Sequence, residues 1–303
     1  MFITVTLNPA VDTFIEVEHL EAHKQSKIVH KYRLAGGKGI NISRVLKSLN
    51  EKTFVTGFIG GNHGKFITKE LSKSGIDYQI VKINEETREN IKLYDKKNKQ
   101  SYEINEAGPV VDLNHLDELI MLLKSTIKKN DVLIISGSAP INYDIDVYKI
   151  LINQLKSLCK MIVLDTSKDW FKEGLSACPD LIKPNLEELE NYTNKQLTSD
   201  QDIIEEALAI VSSGVKEVLV SLGKHGSIYV SSKHIYKITV PDIKVKQTVG
   251  AGDALLAGFV SAKFKKPLKE ALIEAAFTSL KYISDIEVNE EIKNQIELIT
   301  MNI

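Results

Sequence analysis

Cysteine is nearly missing from this chain, with two in 303 residues, Cys159 and Cys178. Neither falls in a metal-ligand or redox spacing, which removes those chemistries and points to a reducing compartment. An excess of either charge is missing too. Lys and Arg number 39 against 40 Asp and Glu, a net charge of −1. No bulk electrostatic attraction to nucleic acid or to an acidic membrane follows from that balance, so any anion site must be built locally. No apolar run approaches the length of a membrane span. The opening MFITVTLNPAVD lacks a basic n-region and carries Asp12, so a secretory signal is not expected. Internal repeats, low-complexity tracts and obvious linkers are also lacking. A soluble cytoplasmic protein with no nucleic-acid or membrane partner is expected. What remains is ordinary globular composition, 43% hydrophobic and 26% charged.

Short β-rich runs alternate with amphipathic helical ones. Core strands are expected at 2–7, 53–58, 131–136, 161–165, 181–183 and 217–222. Runs such as VLIIS suit strands buried on both faces. Helices are expected at 40–49, 65–74, 116–128, 147–158, 186–192 and 203–213, with Gly75 and Gly214 as C-terminal stops. The alternation predicts an α/β fold with a parallel sheet covered by helices on both faces, a three-layer αβα arrangement. An antiparallel pair at 227–231 and 235–240 follows, then helices near 254–264, 268–283 and 290–299. Four pieces break the rhythm: 13–17, 27–34, 90–94 and 101–105. The last two flank the polar turn DKKNKQ and read as a hairpin. Together these pieces predict a small β-sheet lid inserted at about 13–34 and 90–106.

Several familiar signatures fail on inspection. GGNHGKF, residues 60–66, is one residue short of a Walker loop and lacks the Ser/Thr after Lys65. The dinucleotide pattern fails at Gly250, because Leu255 occupies the third glycine position. SGSAP, residues 136–140, is not a nucleophile elbow. Glycine-rich and polar turns nevertheless follow at least five expected strands, where an open α/β sheet places its ligand crevice.

AGGKGIN, residues 35–41, combines an open backbone at Gly36, Gly37 and Gly39 with the cation Lys38 at a helix start. That suits a phosphorylated or polyhydroxy ligand, although a solvated surface turn has the same composition. LNPAVD places Asn8 and Asp12 after the first strand, where a carboxylate binds ligand hydroxyls or merely caps a turn. LIKPNLEEL supplies Lys183 for phosphate and Glu188 for a magnesium-bound water, or else a solvated helix face. VGAGDALLAGF, residues 249–259, sets Asp253 where a glycine turn enters an apolar helix. The first N–H groups of that helix form an anion site. Asp253 serves there equally well as an N-cap or as a group working beside the anion.

AGGKGIN, KPNLEE and TVGAGDALLAGF, in this order, resemble the ribokinase-like (PfkB) carbohydrate kinases. The resemblance covers most of the chain. TLNPAVD, AGGKGINISRVL, ETREN, YEINEAGP and SGSAP resemble the branch acting on sugar phosphates, which includes 1-phosphofructokinase and tagatose-6-phosphate kinase. It implies a single ribokinase-like domain over 1–303, with ATP and Mg2+ as cofactors and a sugar phosphate as the small-molecule partner. It implies Asp253 as the general base, with Gly250, Ala251 and Gly252 as an anion hole whose helix dipole keeps Asp253 ionised. Asp12, Gly37 and Asn41 would hold sugar hydroxyls, and Lys38 and Arg88 the phosphate already on the substrate. Gly36, Asn105 and Ser138 complete the substrate set. Lys183, Asn185, Glu188 and Ser221 would face the nucleotide phosphates and magnesium, with Glu188 as the metal residue, and Gly223 and Gly226 would line the nucleotide pocket.

The expected reaction is ATP-dependent phosphorylation of fructose 1-phosphate to fructose 1,6-bisphosphate. The alternatives are tagatose 6-phosphate, an unphosphorylated sugar or nucleoside, and a sensor without catalysis. The lid is expected to pair across a homodimer. Two positions depart from the family pattern. Gln247 stands where Asp or Asn is usual, and Asn50 where Gly or Ser is usual.

Overall fold

The computed structural model describes residues 1–245 and 248–301. Gln247 therefore lies outside the described residues. In chain order the elements are β1 (Phe2–Thr6), β2 (Ala10–Val17), β3 (Ile28–Gly36), α1 (Lys38–Ser48), β4 (Thr53–Gly60), α2 (Gly61–Lys73), β5 (Asp77–Tyr78), β6 (Val81–Ile83), β7 (Arg88–Asp95) and β8 (Gln100–Asn105). There follow α3 (Leu113–Thr126), β9 (Val132–Ser136), α4 (Val147–Leu155), β10 (Met161–Asp165), α5 (Lys168–Leu175), β11 (Leu181–Ile182), α6 (Leu186–Thr193), α7 (Asp200–Ser212) and β12 (Glu217–Ser221). After a 3₁₀ turn at Gly223–His225 come β13 (Ser227–Ser231), β14 (Ile235–Thr239), α8 (Ala251–Lys263), α9 (Leu268–Ile283), α10 (Glu290–Lys293) and β15 (Glu297–Thr300).

The large sheet runs β15-β14-β13-β12-β11-β10-β9-β1-β4-β5, with β6 also on β4. Strands β12, β11, β10, β9, β1 and β4 are parallel, as their helical crossovers require. β1, β9 and β10 are buried at every residue. Their two faces feed separate apolar clusters. Ile3, Leu133 and Ile162 pack with α3, α4 and α7, whereas Phe2, Val132 and Met161 pack with α1, α8 and α9. This is the expected α/β arrangement, with helices on both faces. Parallel strands all present their C-terminal ends to the same edge, so the turns after β1, β9, β10, β11 and β12 converge there.

The small sheet has the order β3-β2-β7-β8. It begins three residues earlier than the alternation suggests. Ala10, Val11 and Asp12 already pair with Gly36, Ala35 and Leu34 on one side and with Arg88, Glu89 and Asn90 on the other. Asn50 is left-handed at φ 60°, the conformation its glycine-like position demands.

One expected helix is overturned. Residues 290–299 form a single helical turn and then β15, which pairs antiparallel with β14. Ile292, Ile296 and Ile299 have helical spacing, but the open edge of β14 offers a ladder of unpaired backbone groups to Glu297–Thr300. The α5 helix and the short β5 and β6 were not foreseen. GGNHGKF is the end of β4 and the start of α2, and Glu86 Oε1 accepts from the His63 N–H there at 2.6 Å. The chain's own carboxylate thus fills that helix terminus.

Candidate active site

Asp253 sits in the first turn of α8, buried at 6% exposure. Gly250 precedes the helix as a left-handed cap at φ 86°. A side chain there would collide with the Tyr282 ring, about 2.7 Å away, so glycine is required on both steric and conformational grounds. The Ala251 N–H turns back to Thr248 O and the Ala254 N–H to Gly250 O. The Gly252 and Asp253 amides head the helix without a bond to described residues. At Gly252 an added Cβ would stand 3.0 Å from Lys183 Nζ, so the ammonium faces the glycine turn directly.

Behind this turn lies Asp165, with no exposed side-chain surface, at the end of β10. Its Oδ1 is 3.1 Å from Lys38 Nζ and 3.4 Å from Lys183 Nζ, and Oδ2 accepts from Ser136 Oγ at 3.0 Å. Lys38 Nζ is also 3.7 Å from Glu188 Oε1. Burial opposes the charge on Asp165, but Lys183 and Lys38 hold its carboxyl below the ordinary range. Burial likewise opposes the charge on Lys38, and Asp165, Glu188 and Asp253 outweigh it. Asp253 behaves in the opposite way. Burial and then the charge of Asp165 push it up to about 6, against Lys38, Asn41 and Lys183. Burial and Asp165 thus oppose the helix dipole, and a carboxyl lifted to about 6 is still mostly ionised at neutral pH.

Just past β11, Asn185 caps α6 by accepting from the Glu188 N–H, and Glu188 Oε2 accepts from the Asn185 N–H in return. That capping box leaves Glu188 Oε1 directed to Lys38. Ser221 bridges to Asn185 through the backbone. Gly223 and Gly226 border a pocket of about 240 Å³ closed by Leu255, Ala276 and Leu280. Among the described residues no three His, Cys, Asp or Glu side chains cluster as a metal cage. A magnesium ion that keeps its waters and takes phosphate oxygens needs no cage, so a single carboxylate such as Glu188 fits it.

On the lid side, Asp12 Oδ1 accepts from Asn90 Nδ2 at 3.0 Å, and Oδ2 lies 3.2 Å from Lys92 Nζ. Gly36 is pressed against the Asp12 carboxylate, which leaves no room for a Cβ. Asn41 Nδ2 donates to Asp253 Oδ2 at 2.9 Å, joining α1 to the α8 turn. Arg88 donates through Nε to Asn8 O and through Nη1 to Glu106 O. Asn8 Nδ2 reaches Ser138 Oγ at 3.4 Å and the Ala139 carbonyl at 3.3 Å. Lys38 stands with Lys183 at Asp165, while Arg88 begins the lid strand β7. Asn105 is exposed on β8, across the ladder from Asn90.

Asp165, Asn90, Lys92 and Arg44 were not singled out from sequence. Asp165 carried a usable signal, since it is a carboxylate at the C-terminal end of the all-buried strand MIVLD. Asn90 and Lys92 alternate with apolar residues on a lid strand, and only the pairing with β2 brings them to Asp12.

The pfkB family carbohydrate kinase model matches residues 5–284. The chain belongs to that family. Its relatives include the 1-phosphofructokinase of Borreliella burgdorferi, 36% identical over 263 residues, 86% of this chain and 84% of that one. The tagatose-6-phosphate kinase of Staphylococcus epidermidis is 32% identical over 282 residues, 91% of this chain and 89% of the relative. Among solved structures, Escherichia coli phosphofructokinase-2 in complex with potassium superposes with a TM-score of 0.89 over 97% of this chain and 98% of that one, at 24% identity. That last likeness is one of fold. No helix among the described residues is long and apolar enough to cross a membrane.

Proposed function

We propose that the chain is an ATP- and magnesium-dependent kinase of a ketohexose monophosphate, with fructose 1-phosphate as substrate and fructose 1,6-bisphosphate as product. The observation that carries this is Asp253, buried beside an open glycine turn, faced by Lys183 on one side and by Asn41 on the other. Phosphoryl transfer to an alcohol requires a base on the hydroxyl and donors around the moving phosphoryl group, in one place.

In this reading Asp253 takes the proton from the accepting hydroxyl. That oxygen bonds to the γ-phosphorus as the bond to the ADP oxygen breaks. The first-turn amides of α8 and the Lys183 ammonium hold the equatorial oxygens. Asp165 keeps Lys38 and Lys183 charged and fixed. Glu188, with Asn185 beside it, would hold a magnesium ion through water, and that ion neutralises phosphate charge when bound. Asp12, Gly37 and Asn41 orient the sugar, with Gly36, Asn105 and Ser138 bordering it. Arg88 grips the phosphate already present. Two of its five donors are spent on carbonyls, and Nη2 has no bond to described residues. The pocket at Gly223 and Gly226 takes the nucleoside.

The lid supports a homodimer. Tyr32 and Leu34 on one face of the four-stranded sheet and Ile104 on the other are exposed, apolar surface that a second copy would cover. A cytoplasmic location goes with this reading, since ATP and a charged sugar phosphate meet there. The tagatose-6-phosphate kinase relative makes tagatose 6-phosphate the second candidate.

A coupled ADP-release assay with fructose 1-phosphate, fructose 6-phosphate, tagatose 6-phosphate and free fructose tests the assignment. Selective turnover of fructose 1-phosphate is expected. Turnover of tagatose 6-phosphate alone would reassign the substrate and keep the class. Free fructose as the best substrate would overturn the sugar-phosphate reading, and ligand binding without any turnover would favour a sensor.

A further inference from the structure

One polar side chain at the centre of the site serves neither as a ligand group in the reading above nor as part of the core. Arg44 lies on α1, one turn beyond Asn41. Its Nη1 donates to Asn41 Oδ1 at 3.2 Å, and its Nη2 donates to the Ala35 carbonyl at 2.6 Å. The guanidinium is thereby tied to the glycine turn that begins α1 and to a single side chain on the helix. It does not bond Asp253. Asn41 stands between them, with Nδ2 at 2.9 Å from Asp253 Oδ2.

We propose that Arg44 is a positioning residue for Asp253: it fixes which end of the Asn41 amide faces the carboxylate. The argument is one of donors and acceptors. A guanidinium offers donors only, so Asn41 must present its oxygen to Arg44. The amide is planar, so its NH2 then points the other way, at Asp253. Without the guanidinium the amide is free to rotate about χ2, whose two orientations differ little by themselves. The flipped amide would present oxygen to the carboxylate, which only a protonated Asp253 can satisfy. The native orientation stabilises the charged form, and the flipped one stabilises the neutral form.

The groups that face Asp253 set the background for this effect. Asp165 at the end of β10 disfavours its charge, and Lys38 on α1 and Lys183 after β11 favour it. Tyr282 on α9 lies against Gly250 and is sensitive to both Arg44 and Asp253. Burial and Asp165 already hold Asp253 near the edge of ionisation, so one hydrogen bond of either polarity moves its proton affinity where a base must be charged. That the Asp253 proton matters to turnover rests on the kinase reading. The position of the amide does not.

The test separates the two. In the full-length chain with 13C-labelled aspartate, the Asp253 carboxyl resonance, identified by its loss in Asp253→Asn, is titrated in the parent, Arg44→Met and Arg44→Lys. The midpoint in Arg44→Met is expected to rise by about one pH unit, a tenfold change in proton affinity. Arg44→Lys is expected to restore the parent midpoint, because an ammonium also offers donors only. If Arg44→Met does not fold, Arg44→Gln replaces it. A glutamine can present its own oxygen or its NH2, so it no longer dictates the Asn41 orientation, and the same rise is expected. An unchanged midpoint in a folded Met or Gln variant, or failure of both to fold, overturns the proposal. The acid limb of kcat/KM, measured with Mg-ATP and fructose 1-phosphate, should move with the carboxyl. A carboxyl that moves while the limb stays would remove Asp253 as the base and leave the positioning role standing.

Discussion

The two sheets of this molecule follow opposite rules. In β9 every residue of VLIIS is buried, and in β8 every residue of QSYEIN is exposed. The large sheet is open at its edges but covered by helices on both faces. The lid lacks such cover on its outer strands, and the face that carries Asp12, Asn90 and Lys92 also carries Phe14, Tyr32 and Leu34. Under the proposed function, groups that make or break bonds belong to the edge of the large sheet, and groups that recognise the sugar belong to the lid. Asn41 is the link, since its helix starts where the lid strand β3 ends and its amide bonds the residue proposed as base.

Each half can be tested against the other. The largest effect should fall on the core edge. Asp253→Asn is expected to lower kcat by about 10³-fold with little change in KM for either substrate, the scale of a lost general base. Wild-type kcat/KM should rise with pH through about 6 and then level, since burial and Asp165 lift Asp253 there and the base must be ionised. A profile still rising at pH 8 would place the essential group elsewhere.

Next comes Asp165, which is buried between two lysines. Asp165→Ala strands Lys183, itself 4% exposed, and is expected to cost about 3 kcal/mol in denaturant unfolding. A loss of activity without a loss of stability would show that water or a bound anion compensates the charge. The lid should respond more mildly and in KM. Arg88→Ala is expected to raise KM for fructose 1-phosphate about tenfold while kcat changes little, as for one lost charge-assisted contact. The smallest effect on activity should fall on the exposed lid. Ile104→Asp on β8 should shift the chain from dimer to monomer by light scattering, and its melting should drop only by what the partner contributed, because Ile104 does not join the core. A parent that is already monomeric at micromolar concentration would remove the lid dimer.

The same division explains what could be read from the chain itself. Core strands such as MIVLD and VLIIS announce themselves as unbroken apolar runs between helical periods, and the glycine turns after them mark the crevice. The lid was legible as a departure from the βα rhythm, but not its register. That Ala10–Asp12 begin β2 is decided by pairing with Gly36 and Arg88, which are distant in sequence. Asp165 ends a strand as Asp12 follows one, yet no glycine flags it. Its role comes from two lysines that arrive from other elements. The upward pull on the Asp253 carboxyl was not legible for a related reason, because a helix start is visible in sequence and the depth of its burial is not. The turn at the C-terminus, read as helix, became β15 because β14 left an edge to pair.

The central claim is that the buried Asp253 at the α8 turn carries phosphoryl transfer to a sugar phosphate held under the lid. The most direct measurement is ADP release from Mg-ATP by the purified chain with fructose 1-phosphate and with free fructose, for the parent and for Asp253→Asn side by side. Turnover by the parent with the phosphate, weak turnover with fructose and loss of both in the variant is the predicted result. A variant that retains the parent rate would contradict the claim.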